Sequence, residues 1–525
     1  MKVKIHLYKL LPCLFFLFLY TSVVSQKTIQ KNNYSNYFED VYPESVGVES
    51  ESILNFINSI EEKINELHSL IILKDGKKIA SGWWAPYSSE FPHILHSLSK
   101  SFTSTAIGLA IEEGKLNLND RVISFFPEYE TENIDPKFKE MRVRDLLTMT
   151  TGEKKEISPF ITKDKDWAKL FVNAKLDFLP GTYYKYNSYA TYMLSCIIKK
   201  ITNQNLEDYL NPRLFIPLGI EKPSWGKCPR GISYGGWGLK LKTQDIAKFG
   251  QLLLQNGKWK GNQIISEDWI KMATSKQVEN KTSQFAIDWK QGYGFQFWKN
   301  RYNSYRGDGG FGQYCIVIPD HKMVIAITGS VQNMQRVLDV FWEEIYSNLN
   351  SNEVKIDNAN FQEKLNEKLI SLKIKPHNTK ENKFKSKIIL DGNYMINSNE
   401  LGIKSVKFEK VDRNYRLIIY SNSGKEEIII SENKYYKNSL SNFNFIDNYS
   451  SEGLSYFKNE KINPTPVAIN GYWKDKETFS IKILYLENTA KANLDLQFNS
   501  NEIEMDITLK GVFALKTKFK LSGSK

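Results

Sequence analysis

HILHSLSKSFTST, residues 93–105, sets six hydroxyl side chains around one lysine, Lys100, with histidines at positions 93 and 96. A serine hydroxyl becomes a nucleophile only when a base within hydrogen-bond reach takes its proton. On a helix, only residues three or four positions apart share a face. From Lys100 that admits Ser97 on one side and Thr103 or Ser104 on the other, while Ser99 and Ser101 point elsewhere. His96 adjoins Ser97 and cannot turn back on it. A helix running from about Ser97 to Glu113 leaves the Ser97 N–H without an intrahelical partner, open to a developing oxyanion and favoured by the helix dipole. The Ser104 N–H would already be bonded to the Lys100 carbonyl. Helix polarity therefore favours Ser97 over Ser104.

Working outward, SESILNFINSIEEKINELHSLIIL places Ile53, Leu54, Ile57, Ile60 and Ile64 at helical spacing and then becomes a continuous apolar run, Leu70 to Leu73. His68 ends that helix, where its charge suits the dipole. KDGK turns the chain, and KIASGWW returns as a second strand. Helical segments follow in SFTSTAIGLAIEE, closed by Gly114, in MRVRDLLTMTTG, closed by Gly152, in SYATYMLSCIIKKIT, and in TQDIAKFGQLLLQNG, capped by Thr243. Strands return at GYGFQFW, GQYCIVIP and KMVIAIT, before the amphipathic helix VQNMQRVLDVFWEEIYSNL. Helix and strands, a helical insert, then strands and helix predict an antiparallel sheet completed from both ends of the segment, an α/β (α+β) catalytic domain over residues 43–348. Residues 350–385 are Asn/Lys-rich and read as a linker of modest helicity. Residues 386–525 alternate in short strands and read as a separate all-β domain, a small barrel or sandwich.

The first 25 residues hold Lys2, Lys4 and Lys9, then LLPCLFFLFLY, then small or polar residues up to Ser25-Gln26. That order is a signal peptide, too short and wrongly flanked for a stable membrane anchor, and Cys13 behind Pro12 is a poor lipid-attachment site. Export to the periplasm or the extracellular space is the expectation. Cleavage would remove three lysines and no acids, taking the formal net charge from +12 to +9. Such mild basicity reads as solubility and gives no reason to expect nucleic acid as a partner. The remaining Cys196, Cys228 and Cys315 are too few and too widely spaced for a disulfide framework and read as core thiols. None of the six histidines falls at a metal-ligand spacing, so metallohydrolases are set aside and no metal or cofactor is expected.

Four further stretches accompany Ser97-Leu98-Ser99-Lys100. They are its continuation SFTSTAIGLAIEEGKLNLNDRV, then MRVRDLLTMTTG, then PGTYYKYNSYATYMLSCIIKKIT with Tyr186-Asn187-Ser188, and GGWGLKLKTQDIAKFGQLLLQNGKW. In this order the residues resemble the penicillin-binding protein and class C β-lactamase superfamily of serine hydrolases, over about residues 43–348. The resemblance implies a β-lactamase/transpeptidase-like fold. It implies Ser97 as nucleophile and Tyr186 beside Ser97 and Lys100 as proton shuttle, with Lys100 lowered in pKa by desolvation and Tyr186 by a neighbouring cation. Ser188, where the family often has asparagine, would help hold Lys100 or the leaving group and points to the branch of esterases and linear-amide hydrolases.

YRGDGGFGQYCIVIP departs from the family's third motif: Gly307-Asp308-Gly309 stands where a cation often holds a substrate carboxylate. Strand alternation turns Arg306 away if Gly307 faces the site. Gly309 and Gly310 let backbone approach substrate, with the Gly310 N–H as a second oxyanion donor beside that of Ser97; the other reading of this glycine cluster is a hairpin turn. Gly231-Ile232-Ser233-Tyr234-Gly235 spells a nucleophile elbow but has turn chemistry on both sides, so it reads as a loop that lines the pocket with Trp237. His321 reads as a solvent-facing residue in the turn PDHK, while His93 and His96 border the pocket entrance.

The expectation is an exported serine hydrolase acting on a small-molecule or peptide ester or amide through an acyl-enzyme. The alternatives are β-lactamase or D-Ala-D-Ala carboxypeptidase-like activity, and a non-catalytic module that binds or senses cell-wall peptide. Neither the true substrate nor the oligomeric state follows from the sequence.

Overall fold

The computed structural model describes residues 37–64, 66–156, 164–281, 286–350, 359–376, 392–446, 464–513 and 516–525. The expected signal peptide and its expected cleavage site at Ser25-Gln26 lie outside these, as do much of the expected linker and the first residues of KIILDGNYMI. The chain divides into Met1–Glu39 and Asp40–Lys525, and every described helix and strand belongs to the second unit.

Helix α1 (Ser50–Lys63) leads into the hairpin β1 (Leu67–Lys74) and β2 (Lys77–Trp83). Then come α2 (Ser99–Glu112), α3 (Val143–Leu147), α4 (Ser188–Thr202) and α5 (Thr243–Leu254). Strands β3 (Trp298–Lys299), β4 (Tyr305–Gly309), β5 (Gln313–Ile318) and β6 (Met323–Gly329) precede α6 (Met334–Glu344) and α7 (Ala359–Ser371). The sheet runs β2-β1-β6-β5-β4-β3, all antiparallel, so strands from the two ends of the segment meet at β1 and β6, as expected from the order of elements. Leu70 pairs with Ile327 and Ile72 with Ile325 there, and both strands are buried along nearly their whole length. A strand covered on both faces carries a continuous apolar run, which is why LIIL and VIAI show no alternation. Helix α5 lies on β1, β5 and β6, and Gly250 permits that approach: a Cβ there would sit 2.5 Å from Val324 Cγ1.

Several local expectations are corrected. GYGFQFW is not a continuous strand, since only Trp298 reaches the sheet. Gly292 and Gln296 have φ of 112° and 66°, and Gln296 spends its amide on the carbonyls of Leu146 and Leu147. Helix α2 begins at Ser99, and Ser97 occupies a 3-10 turn, His96–Leu98, just ahead of it. The helix in MRVRDLLTMTTG stops at Leu147, because Met149 takes φ of 61°. Thr243 does not cap α5; the N-cap is Lys242, and the Thr243 hydroxyl bonds Ser69 Oγ at 2.7 Å. His68 lies inside β1, stacked on Tyr87 and bonded to His93 at 2.9 Å, and burial holds its pKa well below the ordinary value, so no charge is left to suit a helix dipole.

Helix α7 occupies part of the stretch read as a linker and packs on α1 and β2; Ala85 N–H donates to Leu372 O at 3.0 Å. Beyond it run β7 (Asn393–Ile396), β8 (Ile403–Val411), β9 (Asn414–Ser421), β10 (Gly424–Ser431), β11 (Tyr436–Leu440), β12 (Thr465–Trp473), β13 (Thr478–Tyr485), β14 (Lys491–Asn499), β15 (Glu502–Lys510) and β16 (Lys518–Ser524). The order β10-β9-β8-β7-β16-β15-β14-β13-β12 closes into a nine-stranded barrel where Ser431 meets Asn470, with β11 beside β12. The buried amide of Asn470 donates to Ser431 O and Glu432 O, both at 2.9 Å, at the seam. Alternate residues such as Leu494, Leu496 and Phe498 face inward and fill the interior, so the barrel is a packed core. Of the two expected forms, the structure takes the barrel.

Candidate active site

Helix α2 is buried on all sides for most of its length, and three of its hydroxyls are held in tertiary contacts. Ser99 Oγ accepts from Leu239 N at 3.1 Å, Ser101 Oγ donates to Gln296 O at 3.0 Å, and Thr103 Oγ1 donates to Gly235 O at 2.9 Å. Ser104 is fully buried. Ser97, in the turn at the head of this helix, is only half-buried. Lys100 is 1 % exposed, and its Nζ lies 3.1 Å from Ser97 Oγ, 3.2 Å from Ser188 Oγ and 2.7 Å from Gly236 O.

Tyr186 and Ser188 reach the site because Asn187 between them caps α4. Its Oδ1 accepts from Tyr189 N at 2.8 Å and Ala190 N at 3.2 Å, while its Nδ2 contacts Thr151 and Glu153 at 3.3 Å each. An N-cap side chain fixes where the chain enters the helix, so the residues on either side inherit that precision. Tyr186 stacks on Trp298 at 5.3 Å, hydrogen-bonds Ser97, and places its ring centroid 5.0 Å from Lys100 Nζ. Ser188 N–H donates to Glu156 at 2.5 Å.

Strand β4 brings the third motif alongside. A Cβ on Gly307 would meet Leu98 and Ser101 at 2.5 Å; one on Gly309 would lie 2.0 Å from Leu95 O and 3.0 Å from Ser97 N. These glycines are where the strand backbone touches the turn carrying Ser97. Gly310 follows, with Phe513 of the barrel against it. The residues between the glycines face the other way. Arg306 is fully buried, donating to Asp308 Oδ2 at 2.8 Å and Asp288 O at 2.9 Å and stacking on Trp289, so it is committed to the interior. Trp237, half-buried, stacks on Tyr234 at 4.8 Å next to Gly236.

Burial lowers the Lys100 pKa to about 7, against the opposing pull of Glu156 and Asp308. Tyr186 moves opposite to the expectation. Burial, with Asp308 adding to it, raises its pKa well above the ordinary value, and a lysine that is half neutral near pH 7 supplies little cationic pull. Tyr186 therefore keeps its proton. A neutral Lys100 amine has two N–H bonds and one lone pair. With the N–H bonds given to Gly236 O and Ser188 Oγ, the lone pair is left for the Ser97 proton.

Ser97, Lys100, Tyr186 and Ser188 are thus brought together, with Gly309 against the Ser97 backbone and Trp237 one residue from the lysine's carbonyl partner. Ser233 is fully buried, bonded to Glu207 and accepting from Ser195 at its carbonyl, in a loop with no strand or helix adjoining it; three residues on, Gly236 O does reach the site, at Lys100. His321 sits in the 3-10 turn Pro319–His321, against Tyr346. His93 is buried against His68. The three cysteines are buried and unbridged. Sequence reading missed Gly236 O and Glu156: a carbonyl has no residue-type signal, and Glu156 comes from a loop with no motif. Among the described residues no group of His, Cys, Asp or Glu is arranged to hold a metal, and no helix is long and apolar enough to cross a membrane.

Comparison with known proteins identifies the family. Residues 65–339, just over half of the chain, match the family model described as Beta-lactamase. The chain is 20% identical over 252 residues to the 6-aminohexanoate-dimer hydrolase of Paenarthrobacter ureafaciens, spanning 42% of this chain and 61% of that protein. It is 23% identical over 269 residues to penicillin-binding protein 4 of Amycolatopsis lactamdurans, spanning 44% and 70%. Among solved structures it is similar to the octameric penicillin-binding protein homologue from Pyrococcus abyssi, at 15% identity and a TM-score of 0.46, over 90% of this chain and 99% of that one. The chain belongs to the Beta-lactamase family of serine hydrolases.

Proposed function

We propose that the protein is an exported hydrolase that cleaves ester or amide bonds through an acyl-enzyme on Ser97. The observation that carries this reading is the position of Lys100, buried, near neutral in pKa and 3.1 Å from Ser97 Oγ. Lys100 takes the Ser97 proton as Oγ bonds to the substrate carbonyl carbon, and the carbonyl oxygen becomes an oxyanion facing the N–H groups of Ser97 and Gly310. When the bond to the leaving group breaks, Tyr186 donates its proton to that group and is reprotonated from the Lys100 ammonium. Water then gives a proton to Lys100 as its oxygen bonds to the acyl carbon; the bond from that carbon to Ser97 Oγ breaks, the Lys100 ammonium returns the proton to Oγ, and the acid leaves. Ser188 holds Lys100 in line, and Trp237 walls the pocket. Export is supported by the basic, apolar and small-residue blocks of residues 1–25.

The third motif favours substrates without a carboxylate. At that place the chain has Gly307-Asp308-Gly309, with no cation, and Arg306 is turned away and occupied by Asp308. Esters or linear amides should outpace a chromogenic cephalosporin and D-Ala-D-Ala peptides in a direct panel. The test of the nucleophile is to treat the mature protein with an active-site fluorophosphonate and map the adduct. Label on Ser97 supports the reading; label on Ser233 instead would move the nucleophile to the Gly-x-Ser-x-Gly loop, and none under conditions that label relatives would sink the hydrolase reading in favour of a binding module.

A further inference from the structure

The barrel reaches the active site. Its loop after β13 lies along the strand leading to Ser97: Ile94 N–H donates to Glu487 O at 2.9 Å, and Glu487 pairs with Lys240 at 3.0 Å. Thr489 Oγ1 lies 3.0 Å from Nε2 of His96, the residue before Ser97, which is held at φ of 46°. A non-glycine residue in that region persists only where its surroundings impose it. The Thr489 carbonyl accepts from Ser330 at 2.6 Å, and its hydroxyl donates to Gly511 O at 2.7 Å, which ties the second barrel loop to the first. Two residues on, Phe513 stands edge-on to His96 at 5.3 Å and against Phe311 at 4.7 Å, and its Cζ would lie 2.5 Å from a Cβ on Gly310.

Phe513 is nevertheless 69% exposed. A phenyl ring anchored on three sides and still open presents an apolar face to whatever enters beside Gly310. Its direction relative to the chemistry follows from strand β4. Lys100, Ser188 and Tyr186, which handle the proton, gather with Tyr186 stacked on Trp298, and Trp298 pairs with Arg306 near the start of the strand. Gly310 and Phe513 lie off the strand's other end. The leaving group must face the proton donor, so the acyl group lies toward Phe513.

We infer that Phe513 is a specificity-determining residue contributed by the barrel, forming with His96 and Phe311 an apolar wall that binds the acyl chain of the substrate. This rests on the hydrolase reading of the site. Phe513 and Thr489 both fall outside residues 65–339, so the family match says nothing about either.

The test uses the full mature chain and p-nitrophenyl esters from acetate to hexanoate, so that only the acyl group changes, with fluorophosphonate labelling of Ser97 run in parallel. In the native protein kcat/KM should rise with acyl length. In Phe513→Ala the ratio of hexanoate to acetate should fall about tenfold or more, within the range that loss of apolar pocket contact gives, and Phe513→Leu should retain most of it. An unchanged ratio in Phe513→Ala, with Ser97 still labelled, overturns the acyl wall and leaves the hydrolase reading standing. An equal loss on every ester, with an unchanged melting temperature, also overturns it. Failure to label Ser97 in the native protein overturns both.

Discussion

Arg306 and Asp308 face the same side of strand β4, both buried, with Nε and Oδ2 2.8 Å apart. The pair sits behind the site on the side away from Gly307 and Gly309. Removing one partner of a buried pair strands the other charge and costs about 3–5 kcal/mol. Arg306→Ala should lower the unfolding free energy measured by denaturant titration by that order, while Lys299→Ala, on the edge strand β3, should not.

The pH profile should report Lys100. The amine acts as base only when neutral, so kcat/KM rises with pH through an apparent pKa near 7. Asp308 stabilises the ammonium, so Asp308→Asn should move this limb to lower pH. A limb that stays in place, or moves upward, would contradict the electrostatic link between the two. Tyr186, raised by burial, should contribute no falling limb in the neutral range.

The same shift has a consequence for stability. Lys100 binds its proton more weakly folded than unfolded, where a lysine titrates near ~10.4. The unfolded state therefore holds more protons between the two values, and stability rises with pH across that window. The difference in unfolding free energy between Lys100→Met and the native protein should accordingly favour the variant more at pH 6 than at pH 9, whatever the constant cost of losing the bond to Gly236 O.

Gly309→Ala should disable the site without unfolding the protein. The added methyl would lie 2.0 Å from Leu95 O and 3.0 Å from Ser97 N, so the nucleophile turn must retreat. Overpacking of this kind costs about 1–3 kcal/mol, and a displacement near 1 Å at a reacting group costs about a hundredfold in rate. The readouts are thermal melting and the rate of fluorophosphonate labelling.

Asn187→Ala removes the cap of α4 and both bonds of Oδ1. About 1 kcal/mol of stability should go with the cap. The larger effect should be on kcat, because Tyr186 and Ser188 lose their shared anchor; Asn187→Ser, which keeps an accepting oxygen at the cap without setting a second carboxylate against Glu153, should recover more of the stability than of the rate.

Most of the sheet was legible in the sequence because apolar runs and turn residues are local signals: β1, β2, β5 and β6 lie close to where LIIL, KIASGWW, QYCIVI and MVIAIT put them. GYGFQFW failed because a run of aromatics reads as a strand, whereas Gln296, at φ of 66° with its amide bonded to the carbonyls of Leu146 and Leu147, interrupts the extended backbone. His68 failed because its partners Tyr87 and His93 come from beyond the hairpin.

At the site, the sequence by itself determined the candidate pair. Helical spacing and polarity single out Ser97 and Lys100, and both are properties of a few consecutive residues. Which groups surround that pair was decided by tertiary structure alone. Gly236 O, Glu156 and Asp308 act on Lys100 through distance and burial, and Phe513 arrives beside His96 from a separate barrel 417 positions along the chain. The direction of the Tyr186 shift was decided there too, since desolvation depends on what packs around a phenol, and no spacing in the sequence records that.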